Sequence, residues 1–242
     1  MQEWFSEVAN AFVQTFITDD RWQIFLRGFG VTIRTAVLAL VIGIVLGVLV
    51  AIIRTQHDSR RSKKNGIGTV LLNIAYVICR IYLTVIRGTP MMVQLMIMYF
   101  VIFASTRRTI MVAILAFGIN SGAYVAEIVR GGIMSVDQGQ MEAGRSLGMN
   151  YKQTMRHIII PQAIKNILPA LGNEMITLLK DTSLMTVISA KDLTKAAQTV
   201  TAVTYEPFMP YISIAVVYLV CVIALSKVLG LVERRLRASD RR

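Results

Sequence analysis

Nineteen consecutive residues, Thr35–Ile53, carry no charge. A run of that length, wound as a helix, spans a hydrocarbon core of about 30 Å. In lipid its backbone polar groups can be satisfied only within a helix or a closed barrel. This run therefore fixes the class of the chain before anything else is read. Tyr211–Ser226 is a second uncharged run, and Met91–Thr106 is a third, shorter one. The 242 residues are 55% hydrophobic, above the 45–50% or so of ordinary soluble domains. The expected fold is an all-α membrane protein.

The formal net charge of +12 could suggest a nucleic-acid partner, but its placement argues otherwise. Arg54, Arg60, Arg61, Lys63 and Lys64 follow the first apolar run, and Arg234, Arg235, Arg237, Arg241 and Arg242 follow the last. That is the positive-inside pattern. No interleaving of basic and aromatic residues appears, so nucleic acid is not an expected partner; the lipid bilayer is. Cys79 and Cys221 lie in apolar sequence without metal-ligand spacing, and they read as packed thiols. No charged n-region precedes an apolar h-region, so the first span is expected to act as the insertion signal.

About five spans account for the pattern. They are 25–53, 88–105, 109–129, 166–189 and 208–231, with the N-terminus outside and the C-terminus in the cytoplasm. Gly68–Arg87 is apolar but holds Asn73, Arg80 and Arg87. It reads either as a span or as an amphipathic helix on the inner surface. Counted as an added span, it would force one basic cluster outside unless two later segments merged. The five-span arrangement leaves 17 basic residues inside and 7 outside or near it. Residues 1–24 form an extracytoplasmic segment, 25–231 the membrane domain with a cytoplasmic loop at 130–165, and 232–242 a basic cytoplasmic tail. Gly43–Gly47 and Gly118–Gly122 are spaced by four, which lets membrane helices approach closely. The methionines in apolar runs, such as Met91, Met92, Met96 and Met98, read as packing rather than as metal ligands.

Between the hydrophobic runs lies a polar segment with its own architecture, Glu142–Pro161. Gln138–Leu147 holds good helix formers. Gly148 suits the left-handed residue that closes a helix. Asn150 with Gln153 fits a capping box for a second helix over Tyr151–Ile160, stopped or kinked near Pro161. Arg145, Lys152, Arg156 and His157 make this helix–turn–helix knob basic.

The segment resembles the signature loop of bacterial ABC-importer permeases: Glu-Ala-Ala, three residues, Gly, nine residues, Ile, one residue, Leu-Pro. Here Glu142, Ala143 and Gly144 stand first, then Gly148, Ile158, and Ile160 before Pro161. Gly144 and Ile160 depart from the pattern. Further blocks are similar to the branch for polar amino acids: Arg87-Gly88-Thr89-Pro90 with Val93-Gln94-Leu95, Ser121-Gly122-Ala123-Tyr124, Ala126-Glu127-Ile128, Arg130-Gly131-Gly132-Ile133, Gln138 to Gln140, Pro161-Gln162-Ala163, and Lys180-Asp181-Thr182-Ser183-Leu184. The likeness covers roughly 28–231.

The resemblance implies a type I importer permease in the bacterial inner membrane, of the histidine, arginine, lysine, glutamine or glutamate type. It implies a second permease, identical or related, an extracytoplasmic solute-binding protein, and a cytoplasmic ATPase dimer. The loop would form coupling helices seated on the ATPase, with Glu142, Ala143, Gly144, Gly148, Ile158 and Pro161 as the coupling residues. ATP and Mg would belong to that partner. The residues agree, since the chain has no Gly-x-x-x-x-Gly-Lys-Ser/Thr motif to cradle phosphates.

Ionisable groups inside spans are costly and usually functional or paired. Glu127, Glu174, Lys180 and Asp181 are therefore substrate-path candidates, with Asn120, Asn173, Thr182 and Ser183 as weaker ones. Structural alternatives exist: Glu127 as an interfacial helix-end charge or in a pair with Arg130, and Lys180 and Asp181 in a mutual or cross-helix ion pair that fixes packing. Other functions fit less well. An ion-driven secondary amino acid transporter needs no cytoplasmic knob and often shows inverted repeats, which are not evident here. A membrane enzyme would have to work with only His57 and His157, and without a His-Glu metal motif or Gly-x-Ser-x-Gly. No catalytic residue is assigned. A signalling or scaffold role is not excluded by the residues alone.

Overall fold

The structure, a computed structural model, describes residues 1–59 and 66–238. Arg60, Arg61, Lys63 and Lys64 of the first basic cluster, and Arg241 and Arg242 of the tail, lie outside the described residues. Among the described residues every regular element is helical. In chain order they are α1 (Gln2–Phe12), α2 (Trp22–Ser59), α3 (Ile67–Gly88), α4 (Met91–Ile97), α5 (Thr109–Met134), α6 (Gln138–Ser146), α7 (Tyr151–Thr154), α8 (Ile160–Asp181), α9 (Leu193–Thr204) and α10 (Phe208–Ala238). Widened π turns occupy Val13–Ile17, Met98–Ile102 and Met155–Ile159, and tight 3-10 turns occupy Thr18–Asp20 and Thr182–Ile188.

Four helices among the described residues, α2, α3, α5 and α10, are long and apolar enough to cross a membrane. Helix α8 has the length, 22 residues or about 33 Å, but Asn166, Asn173, Glu174, Thr177, Lys180 and Asp181 keep it from reading as apolar. The expectation of a second span at Gly88–Ser105 needs correction. That stretch holds only the short apolar helix Met91–Ile102, about 18 Å long at 1.5 Å per residue, which is too short to cross alone. The proline at 90 and the extended Thr89 before it separate it from α3.

The fold comprises two compact units. One contains the described residues of Leu40–Pro90, Gly118–Met175 and Ser226–Arg242. Here α2 presents small residues to its neighbours. A Cβ at Gly43 would lie 2.7 Å from Ser121 Oγ, and one at Gly47 would lie 2.8 Å from the Ala126 nitrogen. The glycine spacing read in the sequence is thus a close contact between α2 and α5. Val41, Val45, Leu49 and Ile52 point outward instead, the reverse of a soluble helix and suited to lipid.

Helix α3 packs antiparallel along α2. Tyr76 stacks on His57 with ring centroids 3.8 Å apart, while Leu83, with Val50, joins Ala123 and Ala126. Tyr82 Oη donates to the Ile119 carbonyl at 2.5 Å. This side-by-side packing runs α3 along the end of the uncharged run of α2, with Leu83 near Val50 and Tyr76 near His57.

The other unit contains Met1–Ala39, Met91–Phe117 and Ile176–Leu225. Its core joins Phe25 to Leu193, Ala196, Ala197, Val200 and Ile214, with Phe16, Phe29, Val217 and Tyr218 against them. Asp192 is buried and caps α9, accepting from the nitrogens of Thr194 and Lys195, both at 3.0 Å. The Leu193 nitrogen donates to Thr32 Oγ1 at 3.2 Å and ties that cap to α2.

Candidate functional site

The knob is built by local chemistry. Asp137 starts α6 by accepting from the Gly139 nitrogen at 2.6 Å. The helix ends in a Schellman motif, in which the Met149 nitrogen donates to the Gly144 carbonyl at 3.1 Å and the Gly148 nitrogen to that of Arg145 at 2.9 Å. Gly148 takes φ +78°, the left-handed conformation its sequence position implied. Two residues later the capping box forms in full. The Gln153 nitrogen donates to Asn150 Oδ1 at 3.0 Å, and the Asn150 nitrogen to Gln153 Oε1 at 2.8 Å.

The expected interruption at Pro161 takes a different form. Tyr151 to Asp181 is helical throughout, and Met155–Ile159 is a π turn that widens the helix just before the proline. The wider turn gives room to a pyrrolidine ring that would otherwise clash with a carbonyl one turn back. So α7 runs on into α8 without a break.

Glu142, Ala143, Gly148 and Pro161 are exposed, Ile158 is half-buried, and Leu147 stands 80% exposed at the tip. Gly144 is buried instead, facing Thr154. The knob is braced on α8: Gln162 donates to Gln140 Oε1 at 3.3 Å, and Asn166 to Ser135 Oγ at 2.8 Å. The result is an exposed apolar tip with basic flanks on a fixed base.

The eight polar candidates fall into separate places. Glu127 sits among three guanidiniums. Arg54 of α2 forms an ion pair with it, Arg130 Nε lies 3.3 Å away, and Arg87 Nη1 of α3 lies 3.7 Å away. Arg87 also lies over the Tyr124 ring, 5.9 Å from its centroid. One carboxylate thus joins α2, α3 and α5. Asn120 is buried, and Glu174 accepts from Ser121 Oγ at 2.8 Å, linking α8 to α5. Thr182 is fully buried, its hydroxyl donating to the Leu179 carbonyl at 2.7 Å. Asp181 and Ser183 are half-buried. Lys180 and Asn173 are exposed, and with Thr177, also exposed, they fall on one face of α8 at spacings of four and three.

Sequence reasoning missed four participants. Thr177 completes the exposed polar face, and its spacing from Asn173 and Lys180 was the available signal. Arg54 and Arg87 hold Glu127, and no local signal pairs residues so far apart in the chain. Thr154, which fills the space beside Gly144, was likewise silent.

Residues 67–238 match the family described as the binding-protein-dependent transport system inner membrane component, and the chain belongs to it. It is similar to the glutamine transport system permease protein GlnP of Escherichia coli (strain K12), 36% identical over 216 residues, which covers 88% of this chain and 92% of that protein. The arginine transport system permease protein ArtQ of Bacillus subtilis (strain 168) is also 36% identical, over 218 residues, 89% of this chain and 93% of that one. A crystal structure of an amino acid ABC transporter with histidines superposes with TM-score 0.80 at 41% identity, covering 91% of this chain and 98% of that one. The MetNI methionine ABC transporter in an inward-facing conformation shares the fold at TM-score 0.74 and 18% identity, with 90% and 99% covered. The fold is that of a type I ABC importer permease.

Proposed function

We propose that this chain is the permease subunit of an ATP-driven importer of polar amino acids, and that a separate ATPase acts on it through the α6–α7 knob. One observation carries the reading. The residues of the Glu-Ala-Gly and Gly pattern sit on a capped, braced helical hairpin whose far arm is continuous with α8. Movement of the hairpin is then movement of α8, the helix that carries Asn173, Thr177 and Lys180. Glutamine and arginine are named for the relatives, and the sequence blocks point the same way, so the cargo is an amino acid with a polar side chain.

The exposed polar face of α8 is the candidate substrate path. A charged group facing lipid is costly, and a second permease, identical or related, would cover it and enclose a polar route. Lys180 offers a cation to the carboxylate that every amino acid carries, and Asn173 and Thr177 offer hydrogen bonds. The solute-binding protein would deliver cargo at the outer end. ATP and Mg would be held by the ATPase, whose closure would shift the spans between inward and outward states. With one crossing made between Gly68 and Ser105, the number of crossings ahead of Thr109 stays the same. An N-terminus outside and a C-terminus in the cytoplasm then remain consistent with the basic residues.

The test uses Gly148. No atom lies within 4 Å of a Cβ there, so only the left-handed backbone opposes a side chain, at roughly 1–2 kcal/mol. Asparagine tolerates that conformation and β-branched residues do not. Gly148→Asn should therefore keep ATP-dependent uptake in proteoliposomes. Gly148→Val should lose uptake, or lose the ATPase on co-purification. Uptake by Gly148→Val at the wild-type rate would count against the knob as the coupling element.

A further inference from the structure

Helix α1 is amphipathic, and among the described residues its apolar side is largely open: Trp4, Phe5 and Phe12 are exposed and Val8 and Ala11 half-buried. At 100° per residue, Trp4, Phe5, Val8, Ala11 and Phe12 fall on one side, and Glu3, Ser6, Glu7, Asn10 and Gln14 on the other. Trp4 is 58% exposed and Phe5 63%, although both are large apolar groups. The far end of the helix is anchored: Phe12 meets Phe16, and Phe16 meets Phe25 of α2, both with ring centroids 5.0 Å apart.

Between α1 and α2 the chain turns sharply. Asp19 and Asp20 have φ +54° and +53°. Arg21 Nη1 donates to the Gln14 carbonyl at 2.6 Å, and Arg21 Nη2 pairs with Asp19 at 2.9 Å. Trp22, whose indole nitrogen lies 3.4 Å from Asp20 Oδ1, begins α2 and its membrane-crossing run. This polar turn stops α1 from extending the axis of α2. It also sets charged groups at the start of the membrane-crossing helix, with Asp19 paired to Arg21 and Asp20 facing the Trp22 indole.

We propose that α1 lies in the lipid headgroup region, with Trp4, Phe5 and Phe12 inserted toward the acyl chains. A helix leaving a turn at that depth, with indole and phenyl groups on one side, has the chemistry of an interfacial helix and of the aromatic belt. Most such helices carry Lys and Arg on the polar side; this one carries Glu3 and Glu7. Its occupant is accordingly a zwitterionic lipid surface, bound through apolar burial rather than through anionic headgroups. The proposal rests on α2 crossing the membrane and is independent of the transport reading.

The chain has two tryptophans, so Trp22→Phe leaves Trp4 as the sole reporter. The full-length variant is reconstituted into phosphatidylcholine vesicles with bromine atoms at a shallow or a deep acyl position. Trp4 should lose most of its emission to shallow bromines, less to deep ones, and little to aqueous iodide. Replacing part of the lipid with phosphatidylglycerol should not raise the quenching. Full quenching by iodide with none by bromine would overturn the proposal. So would protection from iodide that appears only when a soluble solute-binding protein, or a second permease, is added. Should Trp22→Phe fail to fold, a spin label on Phe5→Cys reads the same depth: greater accessibility to oxygen than to a water-soluble nickel chelate supports the proposal, and the reverse defeats it.

Discussion

Gly144 shows how a single hydrogen shapes the knob. A methyl there would lie 2.6 Å from Thr154 Cγ2 and 2.9 Å from its Oγ1. Thr154 has little freedom to move, being buried, β-branched and bonded through Oγ1 to the Asn150 carbonyl at 3.1 Å. The departure from the Glu-Ala-Ala pattern is therefore matched by a bulky neighbour. Gly144→Ala alone should destabilise the chain by about 1–3 kcal/mol through overpacking. Gly144→Ala with Thr154→Ala should recover much of that loss, and thermal unfolding in detergent measures both. Equal melting temperatures for Gly144→Ala and wild type would refute the account. The caps at Gly148, Asn150 and Gln153 were legible in the sequence because each rests on partners within a few residues. The Gly144–Thr154 fit was not, because it depends on how closely α6 approaches α7.

At the scale of elements, Glu127 and Lys180 separate into different kinds of residue. Glu127 binds three helices together and is partly shielded from solvent, so its loss strands the guanidiniums around it. Glu127→Gln should cost about 1–3 kcal/mol, between the values of exposed and of buried pairs. Arg87→Ala should cost less, under about 1 kcal/mol, since Arg87 is more exposed and more distant. Melting temperatures that fall in the opposite order would contradict that assignment. Lys180 is exposed on α8, so Lys180→Ala should leave folding and basal ATP hydrolysis of the assembled complex intact while reducing uptake. Uptake at the wild-type rate in such a variant would remove Lys180 from the substrate path. In the sequence both are ionisable groups within a span, and that property alone does not tell them apart. Facing direction separates them, and that comes from which neighbours surround each helix. The short helix Met91–Ile102 was read as part of a span for a related reason: its apolar character is plain, but the break at Thr89–Pro90 decides its length.

For the whole molecule, fold class was the most legible property, because an uncharged run of nineteen residues leaves a chain few alternatives. Orientation rests on charge placement and has a direct check. A tag at the N-terminus should be accessible to a protease added outside intact spheroplasts, and a C-terminal tag should be cleaved only after lysis. The reverse pattern would invert the topology. The π turn at Met155–Ile159 adds a final point. An over-wide turn holds one residue more than the α-helical count, so the hairpin beyond it is set about 100° around the helix axis from where an unbroken α-helix would present it. The heading of Leu147 and the heading of Asn173 are thereby geared to each other through one surplus residue, and the direction in which an applied torque meets that helix is written into that single count.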